Sequence, residues 1–124
     1  DAIVYCTTPD MFRPGWEYDQ FSKIRDACHL TLYGTDCYGY ALVASGWGAH
    51  MVVEADLGVY DYVALVPIVQ SAGGVMTDWN GEALTLQRHD QNRGRVVAAA
   101  NSVLHQQAVK LLREAPSPML SQSQ

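Results

Sequence analysis

The residues most capable of chemistry in this chain are three carboxylates, Asp36, Glu54 and Asp61. The surrounding pattern places Asp36 at the start of one predicted helix, Glu54 at the end of a strand and Asp61 at the start of the next helix. In layered α/β domains, ligands bind where strand ends and helix starts meet at one edge of the sheet. The three carboxylates are therefore candidates for one site that binds a small ligand, either cationic or bridged by a metal ion.

Each carboxylate also has a purely structural interpretation. Asp36 and Asp61 are of a residue type that caps helix N-termini, where a carboxylate accepts bonds from free backbone N–H groups and meets the positive end of the helix dipole. Glu54 could simply be a solvated side chain at the end of its strand. Spacing alone leaves the shared site and these structural roles equally open.

The sequence lacks the short motifs that mark several other classes of enzyme. It contains no Walker loop, no G-x-S-x-G elbow and no H-E-x-x-H motif, so a nucleotide kinase, a serine hydrolase and a zincin have no support. His50, His89 and His105 are too widely scattered to suggest a set of metal ligands. We expect these histidines to lie on the surface or in the core.

Length and composition indicate one domain with a modest core. The chain has 124 residues, 48% of them hydrophobic, and a formal net charge of −5. An acidic balance without a Lys/Arg cluster argues against nucleic acid or an anionic membrane as the main partner. Neither a signal-peptide pattern nor a bilayer-spanning apolar run is present. Cys6, Cys28 and Cys37 form no C-x-x-C pair, which favours reduced thiols in a cytoplasmic protein.

The stretch from residue 54 to residue 78 organises the predicted fold. It is typical of a strand end, a turn, a helix, a glycine stop and a second strand. Residues 63–69 are apolar on every side, which predicts a helix without a solvent face, buried between a sheet and other helices. Pro67 removes one backbone bond, to the carbonyl of Val63, and predicts a kink, whereas Gly73-Gly74 predicts the helix end.

Strands and helices alternate through the rest of the chain. Strands are predicted at residues 2–6, 30–33, 51–54, 75–79, 83–86 and 95–100. Helices are predicted at residues 16–28 and 36–46, and a final helix is predicted with Asn101 or Ser102 as its N-cap. Residues 7–15 and 87–94 are predicted loops, and Asn80-Gly81 predicts a tight hairpin. This alternation, interrupted by one hairpin, predicts a layered α-β-α domain with a mixed sheet.

Three stretches resemble the C-terminal half of the inositol monophosphatase family: YGTDCYGYALVASG, VVEADLGVYDYVALVPIVQSAGGVMTDWNG and RVVAAANSVLHQQAVKLL. Within that family the chain is most similar to histidinol-phosphate phosphatases, because residues 34–38 match their G-G-D-C-Y stretch and CTTPDMF at residues 6–12 points the same way. The resemblance implies an α/β half of a Mg²⁺-dependent phosphomonoesterase. Such an enzyme would hydrolyse histidinol phosphate to histidinol and phosphate, with a metal-activated water attacking the phosphate.

The resemblance also implies roles for the three carboxylates. Asp61 matches the metal-binding aspartate of the W-D motif and would thus be catalytic, with Tyr60 in place of the usual tryptophan. Glu54 matches the acidic residue that faces the non-phosphate part of the substrate. Asp36 stands where inositol phosphatases carry a small, apolar residue. Asp36, Glu54 and Asp61 together would bind a small phosphorylated substrate with a positively charged end.

The family's N-terminal half, with its metal-binding glutamate and D-P-x-D-G-T loop, lies outside these 124 residues. We therefore expect residues 1–115 to form the C-terminal half, residues 116–124 to be a flexible tail, and activity to require a complementary N-terminal half. The complete enzyme is expected to be a homodimer, with Tyr38, Tyr40 and Trp47 either at the contact or in the core. The alternatives are half of an inositol or sugar monophosphatase, or a non-catalytic assembly module.

Overall fold

The computed structural model describes residues 2–34, 37–44, 50–58 and 62–113. Asp36 and Asp61, the predicted tail at residues 116–124 and the predicted helix end at residues 45–46 lie outside these ranges. Among the three candidate carboxylates, the structure therefore describes Glu54.

A mixed sheet forms the centre of the fold, as the sequence predicted, and the described residues contribute five strands to it. Its strands are β1 (Ile3–Cys6), β2 (Leu30–Tyr33), β3 (His50–Glu54), β4 (Val75–Thr77) and β5 (Val96–Ala99). They lie in the order β2-β1-β3-β5-β4. Strands β2 and β3 run parallel to β1, whereas β5 is antiparallel to both of its neighbours. The carboxyl ends of β1 and β3 consequently meet at one edge of the sheet.

Helices cover both faces of this sheet. The α-helices are α1 (Trp16–Ala27), α2 (Cys37–Ala44), α3 (Leu65–Ser71), α4 (His89–Asn92) and α5 (Ser102–Arg113). Helices α1 and α5 share one apolar core with alternate residues of β1, β3 and β5, and α2 and α3 share a second core with the intervening residues. Because side chains alternate across a strand, the two cores lie on opposite faces of the sheet. The predicted α-β-α layering is confirmed.

The two long helices are amphipathic. In α1 the buried positions are Glu17, Gln20, Phe21 and Ile24. These positions recur every three or four residues, the period of one helix face.

Helix α5 begins at Ser102 and is capped, as predicted, by Asn101, whose Oδ1 accepts a bond of 2.9 Å from the N–H of Leu104. This is the bond by which an asparagine caps a helix N-terminus. Ala108 and Leu112 are buried, and Leu104 and Leu111 pack against the same core. These residues form the apolar face of α5.

The prediction of a fully buried helix at residues 63–69 is wrong. Helix α3 spans Leu65–Ser71, and within it only Val69 is buried, whereas Ile68 is 54% exposed and the preceding Val63 is 46% exposed. Among the described residues, α3 is covered only on the side that faces the sheet. Pro67 falls in the first turn, where a backbone N–H has no partner within the helix, so it needs no kink.

The end of α3 agrees with the prediction. Gly73 has φ of 90° and donates its N–H to the carbonyl of Gln70 at 3.0 Å, and the N–H of Gly74 bonds to the carbonyl of Val69 at the same distance. A left-handed residue directly after a helix is most easily a glycine. The two glycines therefore turn the chain from α3 into β4.

The predicted hairpin at Asn80-Gly81 is only partly formed. Residues 83–86 form no strand, and β4 pairs with β5 instead. The turn itself is present, because Oδ1 of Asp78 accepts the N–H groups of Asn80 and Glu82 at 2.8 and 2.9 Å. A side-chain acceptor thus closes the turn where a partner strand was expected.

Two predicted loops contain short helices. A 3₁₀ helix, Pro9–Met11, lies within predicted loop 7–15, with the side chain of Thr8 accepting the N–H of Asp10. The second predicted loop, residues 87–94, is largely taken up by α4, which follows another 3₁₀ helix, Leu86–Arg88. Within the described ranges, every helix is too short or too polar to cross a bilayer.

Candidate active site

Glu54 is the last residue of β3, and it is the first charge after a run of apolar residues in that strand. It lies on the same face as Val52, because side chains two residues apart in a strand point the same way. That face is covered by α2 and α3. Only 2% of Glu54 is exposed, so its carboxylate lies inside the domain.

Within the part of the chain that the structure describes, three hydrogen-bond donors hold the Glu54 carboxylate. Thr7 donates both its backbone N–H (2.8 Å) and its hydroxyl (2.6 Å) to Oε2, and the hydroxyl of Tyr40 donates to Oε1 at 2.8 Å. A buried charge is expensive unless such donors replace water. The interpretation of Glu54 as a solvated side chain is therefore wrong.

The sheet register explains why Thr7 reaches Glu54. Tyr5 pairs with Val52 in the parallel β1–β3 ladder, so the positions two residues further along each chain, Thr7 and Glu54, come together at the carboxyl end. Tyr40 reaches the same carboxylate from α2, which packs over β3. The site is thus assembled from a strand end, the next loop and a covering helix.

Cys6 lies next to this carboxylate but is not reactive. It is fully buried, and burial together with the Glu54 charge raises the pKa of its thiol to about 12. A neutral buried thiol is neither a nucleophile nor a metal ligand. Cys28, whose thiol pKa is also raised by burial, is likewise free, as predicted. The side chain of Cys37 lies outside the described part of the structure.

The segment that leaves Glu54 is held by a tight backbone contact. The N–H of Asp56 bonds to the carbonyl of Arg93 at 2.9 Å, and the Asp56 carboxylate pairs with the Arg93 guanidinium at 3.1 Å. Gly94 has φ of 62°, and a Cβ added there would lie 2.2 Å from the carbonyl oxygen of Leu57. Only glycine fits this close approach, which fixes the start of the segment leading towards Asp61 in sequence.

Glu17 is a second buried carboxylate, and it was not among the site residues predicted from the sequence. It is 2% exposed and binds the guanidinium groups of Arg93 and Arg95, the latter at 2.7 Å, and the backbone N–H of Arg13 at 2.7 Å. Its position on the buried face of α1, in register with Phe21, was the signal that could have revealed it.

The electrostatics of Glu17 follow from these partners. Burial alone would raise the pKa of its carboxyl group. The hydrogen bonds from Arg93, the Arg13 N–H and Arg95, together with the charge of Arg93, outweigh burial and lower the pKa to about 2. Glu17 therefore acts as the anion that holds Arg93, and through Arg93 the segment after Glu54.

Asp36 and Asp61 border described elements without being described themselves. Asp36 comes directly before α2 in sequence, and Asp61 directly before Tyr62, which is fully buried and whose hydroxyl bonds to Nδ1 of His89 at 2.7 Å. The assembly of Asp36, Glu54 and Asp61 into one site therefore stays a prediction.

His50, His89 and His105 each bond to a hydroxyl group. Besides His89, His50 bonds to the hydroxyl of Tyr5 at 2.8 Å, and His105 bonds to the hydroxyl of Thr77 at 2.7 Å. Burial lowers the pKa of His105, which favours its neutral form. Among residues 2–34, 37–44, 50–58 and 62–113, no three His, Cys, Asp or Glu residues form a group that could hold a metal ion. Because Mg²⁺ needs several oxygen ligands, this part of the chain does not by itself fit Mg²⁺.

Tyr40 belongs to the core, which was one of its two predicted placements. It is 2% exposed and packs in the cluster that includes Tyr5, Val43 and Val52. It therefore offers no area for a contact between subunits. Trp47 and the side chain of Tyr38, its predicted companions, fall outside the part of the chain that the structure describes.

Comparison with known proteins gives a consistent family relationship. Residues 13–117 match the profile of the inositol monophosphatase family. The chain is 41% identical over 114 residues to a bifunctional phosphatase, IMPL2, of Arabidopsis thaliana chloroplasts, covering 90% of this chain and 32% of that protein. It is 36% identical over 73 residues to a histidinol-phosphatase of Chlorobaculum parvum, covering 53% of this chain and 28% of that protein.

Solved structures show the same relationship. The chain superimposes on an inositol monophosphatase from Zymomonas mobilis with a TM-score of 0.80 at 36% identity, covering 92% of this chain and 44% of that one. An inositol monophosphatase from Anabaena, at 22% identity and a TM-score of 0.71, shares the fold over 96% of this chain and 45% of its own. The chain thus spans about a third of the curated relatives that it matches and less than half of these structures.

Proposed function

Because this chain belongs to the inositol monophosphatase family, we propose that it supplies the C-terminal half of the active site of a phosphomonoesterase that acts on histidinol phosphate. Its homologues are phosphatases that act on small phosphorylated substrates, and the family generally uses Mg²⁺. Mg²⁺ is accordingly the proposed cofactor. Asp61 is its one proposed ligand from this chain and the proposed catalytic residue.

The observation that carries this proposal is the buried, hydrogen-bonded carboxylate of Glu54. Replacing a buried ion pair or hydrogen-bonded pair, both partners together, by apolar groups of similar size is often neutral or stabilising, so folding alone gives little reason for a buried carboxylate at this position. A fixed negative charge at a strand end suits a substrate that carries a positive group beyond its phosphate. Histidinol phosphate carries an ammonium group and an imidazole there. The partial similarity to a histidinol-phosphatase supports the same choice.

The proposed roles of the three carboxylates follow from this substrate. Asp36 and Glu54 would attract the ammonium and imidazole end, while Asp61 would help to hold Mg²⁺ near the phosphate. The remaining metal ligands would come from the family's N-terminal half, so we propose that the chain is inactive without that half. We also propose that the complete enzyme is a cytoplasmic homodimer. Light scattering that gave the mass of one copy would contradict the dimer.

The first experiment measures phosphate release from histidinol phosphate in the presence of Mg²⁺. The complete enzyme should turn over, whereas this chain alone and the complete enzyme carrying Asp61→Asn should not. Intact mass analysis of the assayed sample identifies any accompanying N-terminal piece. Robust turnover by this chain alone would contradict the need for a second half. Full activity of the Asp61→Asn enzyme would favour the alternative in which the chain is a non-catalytic assembly module.

The second experiment tests the charge of the substrate. The complete enzyme carrying Asp36→Ala should lose about ten- to a hundredfold in kcat/KM for histidinol phosphate, the usual effect of one charge-assisted hydrogen bond. The kcat/KM of the same variant for a neutral polyol phosphate should fall much less. Equal losses for both substrates would mean that Asp36 is only a helix cap.

An inositol or sugar monophosphatase is the second candidate function. The 36% identity to the Zymomonas mobilis inositol monophosphatase over 92% of this chain favours it. The two candidates are separated by comparing kcat/KM for histidinol phosphate, inositol monophosphate and a sugar phosphate at equal Mg²⁺. A preference for either neutral substrate in the unmodified enzyme would replace the histidinol phosphate proposal.

A further inference from the structure

We propose that Tyr40 is a positioning residue that determines specificity by fixing the Glu54 carboxylate, provided that Glu54 faces the positively charged end of the substrate as proposed above. Tyr40 donates its hydroxyl to Oε1 of Glu54 at 2.8 Å. It does not need to touch the substrate. Its role is to hold in place the Glu54 carboxylate, whose negative charge distinguishes between substrates.

The ring of Tyr40 is itself immobilised, so its hydroxyl can fix the position of the Glu54 carboxylate. It is 2% exposed and packs among Tyr5, Val43 and Val52, so neighbouring side chains restrict its movement. A buried tyrosine hydroxyl generally finds a partner, and here that partner is a carboxylate, which accepts a stronger bond than a neutral group. Packing and hydrogen bonding thus fix the hydroxyl at one position over the end of β3.

The Glu54 carboxylate accepts hydrogen bonds from two different parts of the fold. Thr7, directly after β1, supplies both of its bonds to Oε2, whereas Tyr40, in α2, supplies its bond to Oε1. The last torsion of a glutamate side chain is broad, so opposing donors are needed to define the orientation of the carboxylate plane. Loss of the Tyr40 hydroxyl removes the donor that the described residues supply to Oε1. Loss of the Thr7 hydroxyl leaves the Thr7 N–H on the same oxygen.

This difference predicts an order of effects. Electrostatic selectivity depends on charges that are oriented before the ligand arrives. Tyr40→Phe should therefore reduce discrimination in favour of a cationic substrate more than Thr7→Val does. Both substitutions keep the size of the side chain nearly unchanged, which limits any disturbance of the core.

The experiment measures kcat and KM of the complete enzyme for histidinol phosphate and for a neutral polyol phosphate. Tyr40→Phe should reduce kcat/KM for histidinol phosphate on the order of tenfold, mostly through KM, and change that of the polyol phosphate less than about twofold. The matched control is Tyr5→Phe, which removes another buried tyrosine hydroxyl in the same core, bonded to His50 and not to Glu54. The control should leave the preference between the two substrates unchanged.

A double-substitution cycle connects Tyr40 to Glu54. In a Glu54→Gln enzyme, which has already lost the charge, Tyr40→Phe should cause no further loss of preference for histidinol phosphate. Thermal melting of each variant identifies any that fails to fold, and Thr7→Val then provides the second test of the same carboxylate. It should lower the preference in the same direction, by a smaller factor.

The outcomes separate this inference from the proposed function. If Glu54→Gln lowers the preference for histidinol phosphate but Tyr40→Phe affects both substrates equally, or adds its full effect to Glu54→Gln, the role of Tyr40 is overturned and the function stands. If Glu54→Gln leaves the preference unchanged, the proposed role of Glu54 fails and that of Tyr40 fails with it. If the unmodified enzyme hydrolyses neither substrate, the proposed function itself is wrong.

Discussion

Glu54 and Gly94 illustrate two different ways in which one residue shapes the candidate site. The sequence correctly indicated that Glu54 ends a strand, because an acidic residue follows an apolar, β-branched run. It did not reveal Thr7 and Tyr40 as partners, since these depend on the β1–β3 register and on how α2 packs. The requirement for glycine at residue 94 was not predicted either, because it arises from a contact with Leu57, 37 positions away in the chain.

Gly94→Ala should destabilise the fold strongly. The residue has φ of 62°, and an added Cβ would lie 2.2 Å from backbone oxygen of Leu57. The left-handed conformation costs about 1–2 kcal/mol for an alanine, and forced overpacking adds about 1–3 kcal/mol. The free energy of unfolding, measured by denaturant titration of the protein that contains this chain, should fall by the sum of the two.

Gly81→Ala is the matched control. Gly81 also has positive φ, at 81°, but its added Cβ would meet only Cγ1 of Val109, at an ordinary 3.5 Å. It should therefore show the conformational cost of about 1–2 kcal/mol without the clash. Equal losses for the two variants would mean that the close approach of Gly94 to Leu57 does not exist in solution.

At the scale of elements, Glu17 connects α1 to the loop before β5 and, through Arg93, to the segment after β3. The helix period alone indicated that residue 17 faces inward, but a glutamate on a buried face has no evident partner until the fold brings Arg93 and Arg95 to it. A contact with Trp16 also holds Arg95, because its guanidinium lies 5.2 Å from the centroid of the Trp16 ring. Charges that are far apart in sequence cannot be paired by inspection of either element.

Glu17 should make stability depend on pH in the acid range. Its carboxyl pKa is lowered from an ordinary 4.5 to about 2 in the fold. A lowered pKa contributes stability that is fully present above the unfolded pKa and is lost as the pH falls through the folded one. The contribution is about 2 to 3 kcal/mol, so it should disappear between about pH 4.5 and pH 2.

The measurement compares the free energy of unfolding of the unmodified protein and of Glu17→Gln across that pH range. At pH 6 the variant should be less stable by about 3–5 kcal/mol, because two arginines lose their buried partner, and the difference should shrink as the pH falls. Glu82→Gln serves as control, since the Glu82 carboxylate forms an exposed pair with Arg88 at 3.5 Å. A pH-independent difference for Glu17→Gln would argue against an ionised Glu17 in the fold.

For the whole molecule, the alternation of strands and helices was sufficient to predict a layered α-β-α domain with a mixed sheet. The reason given for the mixed sheet was wrong, however, because no hairpin with residues 83–86 forms and the antiparallel strand is β5. The burial of α3 was also overestimated, as Val63 and Ile68 show. Apolar composition reports how much surface an element could bury, but the layers that surround it decide how much it does bury.

Because its buried thiol is unreactive, Cys6 can report local opening of the structure near Glu54. A fully buried thiol with a pKa of about 12 should be alkylated only when the strand edge opens and its pKa returns towards about 8.5. Peptide mass mapping, which separates Cys6 from Cys28 and Cys37, would follow this rate. A ligand that stabilises the closed edge beside Glu54 should slow the alkylation of Cys6, and labelling as fast as that of a free cysteine would contradict the burial described above.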